Sequence, residues 1–223
     1  MLQRMADDDG IEHFPGALSS SELALLADLM ERRLEDGPGT RLVGDPALSK
    51  LLAPQGTLHT LAKSKLGNRA RAVRAVLFDK RAGANWALGW HQDRTIAVRA
   101  RIETAGFGPW STKAGIAHVE PPFAIIESMI TLRAHLDDCG EDNAPLLVVP
   151  DSHRLGRIPI DQIAATADRL GSRPCLATAG DVWLTATPII HASKAAQNPT
   201  RRRVLQVDFS ALTLPNGLEW LGV

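Results

Sequence analysis

His91-Gln92-Asp93 sets an imidazole and a carboxylate two residues apart. In a β-strand, side chains at i and i+2 share a face, so the two groups are predicted to stand side by side. A second histidine from a facing strand would complete a two-histidine, one-carboxylate triad. Such a triad leaves positions open on an octahedral metal, which suits non-haem Fe(II) and its co-substrates. An HxD pair is common by chance, and an ordinary surface strand is the plain alternative. Trp86 and Trp90 before the pair and the apolar run after it weigh against a surface position.

Seven histidines are present, and two are candidates for the third ligand: His153 in Pro150-Asp151-Ser152-His153, and His191 in Pro188-Ile189-Ile190-His191. The open side of such a metal calls for a dicarboxylate co-substrate held at its far end by a cation. Arginine is best suited, because its planar fork pairs a carboxylate bidentately and stays charged. Arg202 follows His191 by a loop and an antiparallel return strand that would bring it back beside the metal. Strand parity then puts Arg202, Val204 and Gln206 inward and Arg203, Leu205, Val207 and Phe209 on the other face. Arg154 and Arg157, after His153, lie in a loop with no strand to aim them. This geometry favours His191.

The elements that must position these groups are legible in part. Ser19 and Glu22 form a capping box, with Leu18 and Leu23 as a hydrophobic staple. Leu23, Leu25, Leu26, Leu29, Met30 and Leu34 recur at helical spacing, and Gly37-Pro38 ends the helix. A second helix is expected from Pro46, capped by Asp45, to Leu52, and a third over Leu58 to Ser64. Strands are expected at Ala72 to Phe78, Trp90 to Val98, Ile125 to Leu136, Leu146 to Val149, Asp181 to Thr185, Ile189 to His191 and Val204 to Phe209. A helix is expected near Asp161 to Leu170. Residues 101–122, rich in Gly and Pro, read as a long loop or lid. Helices first and short strands after predict an α+β chain, mainly β at its core, arranged as a β-sandwich or jelly roll. One domain over residues 1–223 is expected, with a helical cover at about 16–66 and a core at about 71–212.

Balanced charge, 25 basic against 25 acidic residues, argues against nucleic acid or an anionic membrane as the main partner. The two cysteines, Cys139 and Cys175, form no CxxC and no disulfide framework. MLQRMADDDG has no apolar signal core, and no run approaches membrane-spanning length. The expected location is the cytoplasm, as monomer or homodimer.

The chain resembles the phytanoyl-CoA dioxygenase-like family of Fe(II)/2-oxoglutarate oxygenases. The resemblance is carried by Asn85-Trp86 with Trp90-His91-Gln92-Asp93, Leu136-Asp137-Asp138 with Asp142-Asn143-Ala144-Pro145-Leu146, Val149-Pro150-Asp151-Ser152-His153, Ala179-Gly180-Asp181-Val182, and His191-Ala192-Ser193 leading to Arg202-Arg203-Val204-Leu205. These follow the family's order over roughly residues 73–210. The resemblance implies a double-stranded β-helix, a cupin-like jelly roll with iron at its mouth. It implies ligands at His91, Asp93 and His191, a co-substrate carboxylate on Arg202 and Ser193, and approach of Gln92 and Thr131 to 2-oxoglutarate. It also implies that the histidine of the Pro-Ser-His turn is not a ligand. Two turns depart from the family: Asn143-Ala144-Pro145 stands where Asn-Gly-Pro is usual, and Asp151 where Gly is usual. Asp tolerates positive φ; Ala144 is expected to alter its turn.

The implied reaction takes Fe(II), 2-oxoglutarate and O2, hydroxylates a C–H bond of a small molecule, and releases succinate and CO2. A halogenating relative would carry a small residue at position 93, so Asp93 favours hydroxylation. An acyl-CoA substrate is not implied. The rival readings are a non-catalytic jelly roll sensing metal and 2-oxoglutarate, and a cupin-like metalloenzyme that needs no 2-oxoglutarate. For an anionic or polar substrate, Arg99, Arg101, Trp110, Lys113 and His118 of the long loop are candidates, with a solvated loop as the alternative. Arg133 and His135 alternate with Thr131 and either line the pocket or form a satisfied buried pair. Lys80, Asn85 and Trp90 border the HxD segment; the alternative for Lys80 and Asn85 is a turn.

Overall fold

The computed structural model describes residues 9–33 and 39–223. Helix α1 (Ser20–Arg33) starts as the capping box requires: the Ser19 N–H donates to Glu22 Oε2 (2.9 Å), and the Glu22 N–H lies 3.3 Å from Ser19 Oγ. The expected stop at Leu34, Gly37 and Pro38 falls outside the described residues. In α2 (Pro46–Leu51), Asp45 Oδ1 accepts from the Ala47 and Leu48 amides (2.8 and 3.3 Å), satisfying donors with no partner inside the helix. Helix α3 covers Thr57–Leu66.

Thirteen strands form three sheets among the described residues. They are β1 (Ile11–Phe14), β2 (Thr40–Leu42), β3 (Arg71–Lys80), β4 (Leu88–His91), β5 (Ile96–Val98), β6 (Trp110–Lys113), β7 (Ile116–Val119), β8 (Ile130–His135), β9 (Leu146–Val148), β10 (Arg173–Cys175), β11 (Val182–Ala186), β12 (His191–Ser193) and β13 (Arg202–Ser210). The six-stranded sheet runs β1-β11-β8-β13-β3-β2, the four-stranded sheet β10-β9-β12-β4, and the small sheet β5-β7-β6. The two larger antiparallel sheets form the jelly roll. Helix α4 (Phe123–Glu127) and helix α5 (Ile163–Leu170) complete the regular elements.

Parity along β13 is as the sequence reads. Leu205, Val207 and Phe209 join Leu26, Leu29, Met30, Leu48, Leu51 and Leu58 in one buried cluster, so the helices pack on the outer face of the six-stranded sheet. Arg202, Val204 and Gln206 face inward and line a cavity between the two larger sheets.

Four expectations need correction. The strand expected over Trp90 to Val98 is broken: β4 ends at His91 and β5 begins at Ile96. Residues 101–122 are not a bare loop but carry the β6–β7 hairpin. Its two turn residues, Ala114 and Gly115, have φ of 48° and 76°, the signs a type I′ turn demands. The strand expected from Ile125 starts at Ile130, because Pro122 opens the short helix α4 first. The strand expected over Ile189 to His191 is shifted to His191–Ser193.

Candidate metal centre

His91 and His191 are register partners on β4 and β12, which brings their ring centroids to 4.2 Å. Each ring is fixed the same way. Nδ1 of His91 lies 2.8 Å from Gly89 O, and Nδ1 of His191 lies 2.9 Å from Ile189 O. A carbonyl accepts the Nδ1 proton, so Nε2 is left with its lone pair, as a metal ligand needs. Burial first, and then the neighbouring His91, push His191 down to about 3, so it is neutral at ordinary pH.

Asp93 lies beyond the end of β4, so shared strand parity does not account for its position. The irregular segment after β4 carries it, and Arg74 on β3 holds its carboxylate, with Nη2 3.6 Å from Oδ2. Burial opposes ionisation of Asp93. Arg74 foremost, then His191, His91 and Arg133, override burial and keep the carboxyl at about 2. Arg74 is itself anchored by Asp208, Nε to Oδ2 at 2.5 Å. One ligand atom from each of His91, Asp93 and His191 lies within 4.8 Å of the others, so the three could hold one metal ion. Two imidazole nitrogens and one carboxylate oxygen fit a first-row divalent metal with open positions. His153 sits in a separate 3-10 turn with its ring against Gly10.

Across the same cavity, Arg202 and Lys80 are register partners on β13 and β3. Like charges directly opposite each other destabilise a sheet, and here both are buried, Lys80 at 1% exposure and Arg202 at 7%. The Lys80 ammonium donates to Ser193 Oγ and to the Lys194 carbonyl, each at 2.8 Å, and lies 5.3 Å from the Trp86 ring centroid. Burial, then Arg202, lower Lys80 to about 8. Arg202 donates to the Ala144 carbonyl at 2.6 Å, while its Nε is buried without a partner. The two departures from the family's turns both fall on left-handed backbone, at Ala144 (φ 54°) and Asp151 (φ 63°). The left-handed turn at Ala144 carries the carbonyl that Arg202 and Ser193 share.

Lys80, Lys113, Arg133, His135, Ser193 and Arg202 line the cavity. Arg133 and His135 are not a mutually satisfied pair. Arg133 donates to Thr185 Oγ1 at 3.3 Å, and His135 Nδ1 is buried without a partner. Burial, then Arg202, hold His135 neutral at about 3.

Other expected residues serve elsewhere. The Gln92 amide is fully engaged by backbone: Nε2 donates to Gly156 O (3.0 Å) and Pro188 O (2.9 Å), and Oε1 accepts from the Ile158 N–H (3.0 Å). It therefore braces the segments that carry the candidate ligands, and it is not among the residues that line the cavity. The Thr131 hydroxyl is taken up by Asp208 and Thr187. Asn85 spans the Ala196 N–H and C=O (2.8 and 3.0 Å) and pins a turn. Trp90 packs against Val149, Ile158, Ile163, Ala167 and Ile190. Trp110 packs in a second cluster under Arg101. His118 is 0% exposed, its Nδ1 on Ile116 O. Arg99 and Arg101 pair with Glu219 and Glu103 at the surface.

Gln206 lines the cavity as the parity of β13 predicts, Trp86 lines it as well, and so do Arg74 and Arg41, which sequence reasoning overlooked. Parity from Lys80 back through Phe78 and Val76 to Arg74 was an available signal. Arg41 sits on a three-residue strand and gave none.

The phytanoyl-CoA dioxygenase family model matches residues 6–204. No curated protein matches by sequence. Three solved structures share the fold. The non-haem α-ketoglutarate-dependent epimerase SnoN from nogalamycin biosynthesis is 20% identical, with TM-score 0.66, covering 94% of this chain and 80% of that one. AviO1 from Streptomyces viridochromogenes Tue57 is 20% identical, with TM-score 0.66 and coverage of 96% and 95%. HygX from Streptomyces hygroscopicus, solved with nickel and 2-oxoglutarate bound, is 14% identical, with TM-score 0.63 and coverage of 94% and 85%. Among the described residues, no helix is long and apolar enough to cross a membrane.

Proposed function

The chain belongs to the phytanoyl-CoA dioxygenase family, and from that premise we propose that it is an Fe(II)- and 2-oxoglutarate-dependent oxygenase that hydroxylates a C–H bond of a small molecule. The observation that carries this reading is one cavity with a metal-competent His91–Asp93–His191 face and a buried Arg202–Lys80 cation pair opposite. Two like charges held side by side without a carboxylate are costly unless a ligand supplies one. The distal carboxylate of 2-oxoglutarate, gripped by Arg202 and Ser193 with Lys80 beside them, would do so.

Iron with 2-oxoglutarate and O2 supplies the oxidising power. One oxygen atom enters succinate, formed with CO2, and the other enters the substrate. The chain's own residues orient and exclude. The carbonyls of Gly89 and Ile189 fix both rings by Nδ1 and leave Nε2 free, so that His91, Asp93 and His191 would hold the metal, and Arg74 keeps Asp93 ionised. Buried His135, held neutral, adds no charge that would compete with Arg202. The cavity, about 430 Å³, falls within the ~300–1,000 Å³ typical of small-molecule sites.

The test is succinate release from 2-oxoglutarate with Fe(II) and ascorbate, with and without primary substrate. Asp93→Ala is expected to abolish it and to weaken metal binding. Turnover of Asp93→Ala equal to the parent would overturn the assignment of ligands. Absence of any succinate from metal-loaded parent protein would favour a sensor. Oxidation that proceeds without 2-oxoglutarate would favour a cupin-like enzyme. Product analysis separates hydroxylation from the epimerising outcome named for SnoN.

A further inference from the structure

At the metal end, the same cavity holds positive charge that neither the metal nor the co-substrate uses. Arg41 on β2 is the register partner of Val76, so it shares the cavity face of β3 with Arg74. Lys113 reaches in from the tip of the β6–β7 hairpin, and Arg133 lies on β8. Arg74 is already engaged by Asp208 and Asp93. The other three form no direct ion pair among the described residues. Lys113 Nζ meets only the Thr95 hydroxyl, at 3.3 Å, and Arg133 meets only Thr185. Arg41 Nε is buried with no hydrogen-bond partner.

The charge count persists after loading. Asp93 and the two carboxylates of 2-oxoglutarate would bring three negative charges against the four positive charges of a divalent metal, Arg202 and Lys80, and Asp208 answers Arg74. Arg41, Lys113 and Arg133 then still have no ion-pair partner, in a chain whose net charge is zero. Burial first, and then Arg74, lower both Arg41 and Lys113, so their mutual crowding is unfavourable in the empty site. Asp93 acts on both Lys113 and Arg133, which puts these cations within electrostatic range of the metal ligands.

We propose that the primary substrate is a small anion whose carboxylate or phosphate monoester is held by Arg41 and Lys113, with Arg133 beneath. This rests on the oxygenase reading for what happens to the anion, but not for its binding. Charged groups so placed would fix one end of the substrate in the cavity that His91, Asp93 and His191 also line. Arg41 and Lys113 are specificity-determining residues in this account, and the hairpin tip is part of the binding site.

The test uses protein loaded with Ni(II) and saturated with 2-oxoglutarate, titrated with inorganic phosphate, acetate and acetamide as probes. Phosphate or acetate is expected to bind, and acetamide not to. A charge-assisted hydrogen bond contributes about 1.5–3 kcal/mol, so Arg41→Ala or Lys113→Ala should each lower anion affinity roughly ten- to hundredfold. Arg41→Lys should retain most of the affinity, and 2-oxoglutarate affinity should stay within about twofold in all three variants. Preference for phosphate over acetate assigns a phosphate ester, and the reverse a carboxylate. Equal binding of acetamide, or anion binding that survives the paired alanine substitutions, overturns the proposal. If 2-oxoglutarate itself fails to bind, the oxygenase reading fails. The same titration on metal-free protein carrying Arg202→Ala then judges the anion site by itself.

Discussion

Arg202→Ala removes a guanidinium that is 7% exposed and pressed between Lys80 and the Ala144 carbonyl. Its fork would make two charge-assisted hydrogen bonds to the co-substrate carboxylate, worth about 1.5–3 kcal/mol each. The loss is cushioned. Lys80 stays 2.8 Å from Ser193 Oγ, and, after burial, Arg202 is the main group that depresses the Lys80 ammonium. Without Arg202, Lys80 holds its proton more firmly and takes over part of the carboxylate. The lower end of the range therefore applies, about 3 kcal/mol, or roughly a hundredfold rise in KM for 2-oxoglutarate. Succinate release against 2-oxoglutarate concentration gives KM, and titration with Mn(II) gives metal affinity, which should not move because Arg202 approaches none of the three ligands. A KM within about threefold of the parent, with metal affinity and melting midpoint retained, would refute the placement of the co-substrate.

Gln92→Ala is expected to destabilise the fold by about 2–3 kcal/mol, because the buried Ile158 N–H and two carbonyls lose their partner. 2-Oxoglutarate affinity should stay unchanged in protein that remains folded. A stable variant with weakened co-substrate binding would return Gln92 to the co-substrate. Ala144→Gly should stabilise by about 0.5–1 kcal/mol, since Ala144 holds a left-handed φ of 54° that glycine adopts freely. Thermal melting decides it, and a lowered midpoint would contradict the strain argument.

Periodic features were legible in the sequence, whereas long-range pairings were not. The capping box at Ser19, the leucine face of α1 and the alternation along β13 are local patterns, and each appears where the spacing puts it. The reading of His191 as partner to His91 also matches the register of β12 on β4, because a histidine opposite a histidine needs only a strand pairing. Asp93 reached its place by a different route from the one expected: the chain leaves β4 after His91, and Arg74, remote in sequence, steers the carboxylate. The same limit explains Gln92. Its neighbours in sequence are the candidate ligands His91 and Asp93, but its amide is claimed by Gly156, Ile158 and Pro188, partners that no spacing rule could supply. The hairpin at residues 110–119 was hidden because Gly and Pro crowd its approach, and its turn is Ala-Gly instead of the commoner Asn-Gly.

The Gln92 brace has one more consequence. Its three bonds tie the exit of β4 to residues 156–158 and to Pro188, three residues before His191. The segments that carry all three candidate ligands are thus fastened to one another by the protein's own hydrogen bonds. None of those three bonds passes through a metal ion, so the metal-free protein is expected to keep the shape of the site, and thermal melting with and without Fe(II) checks it.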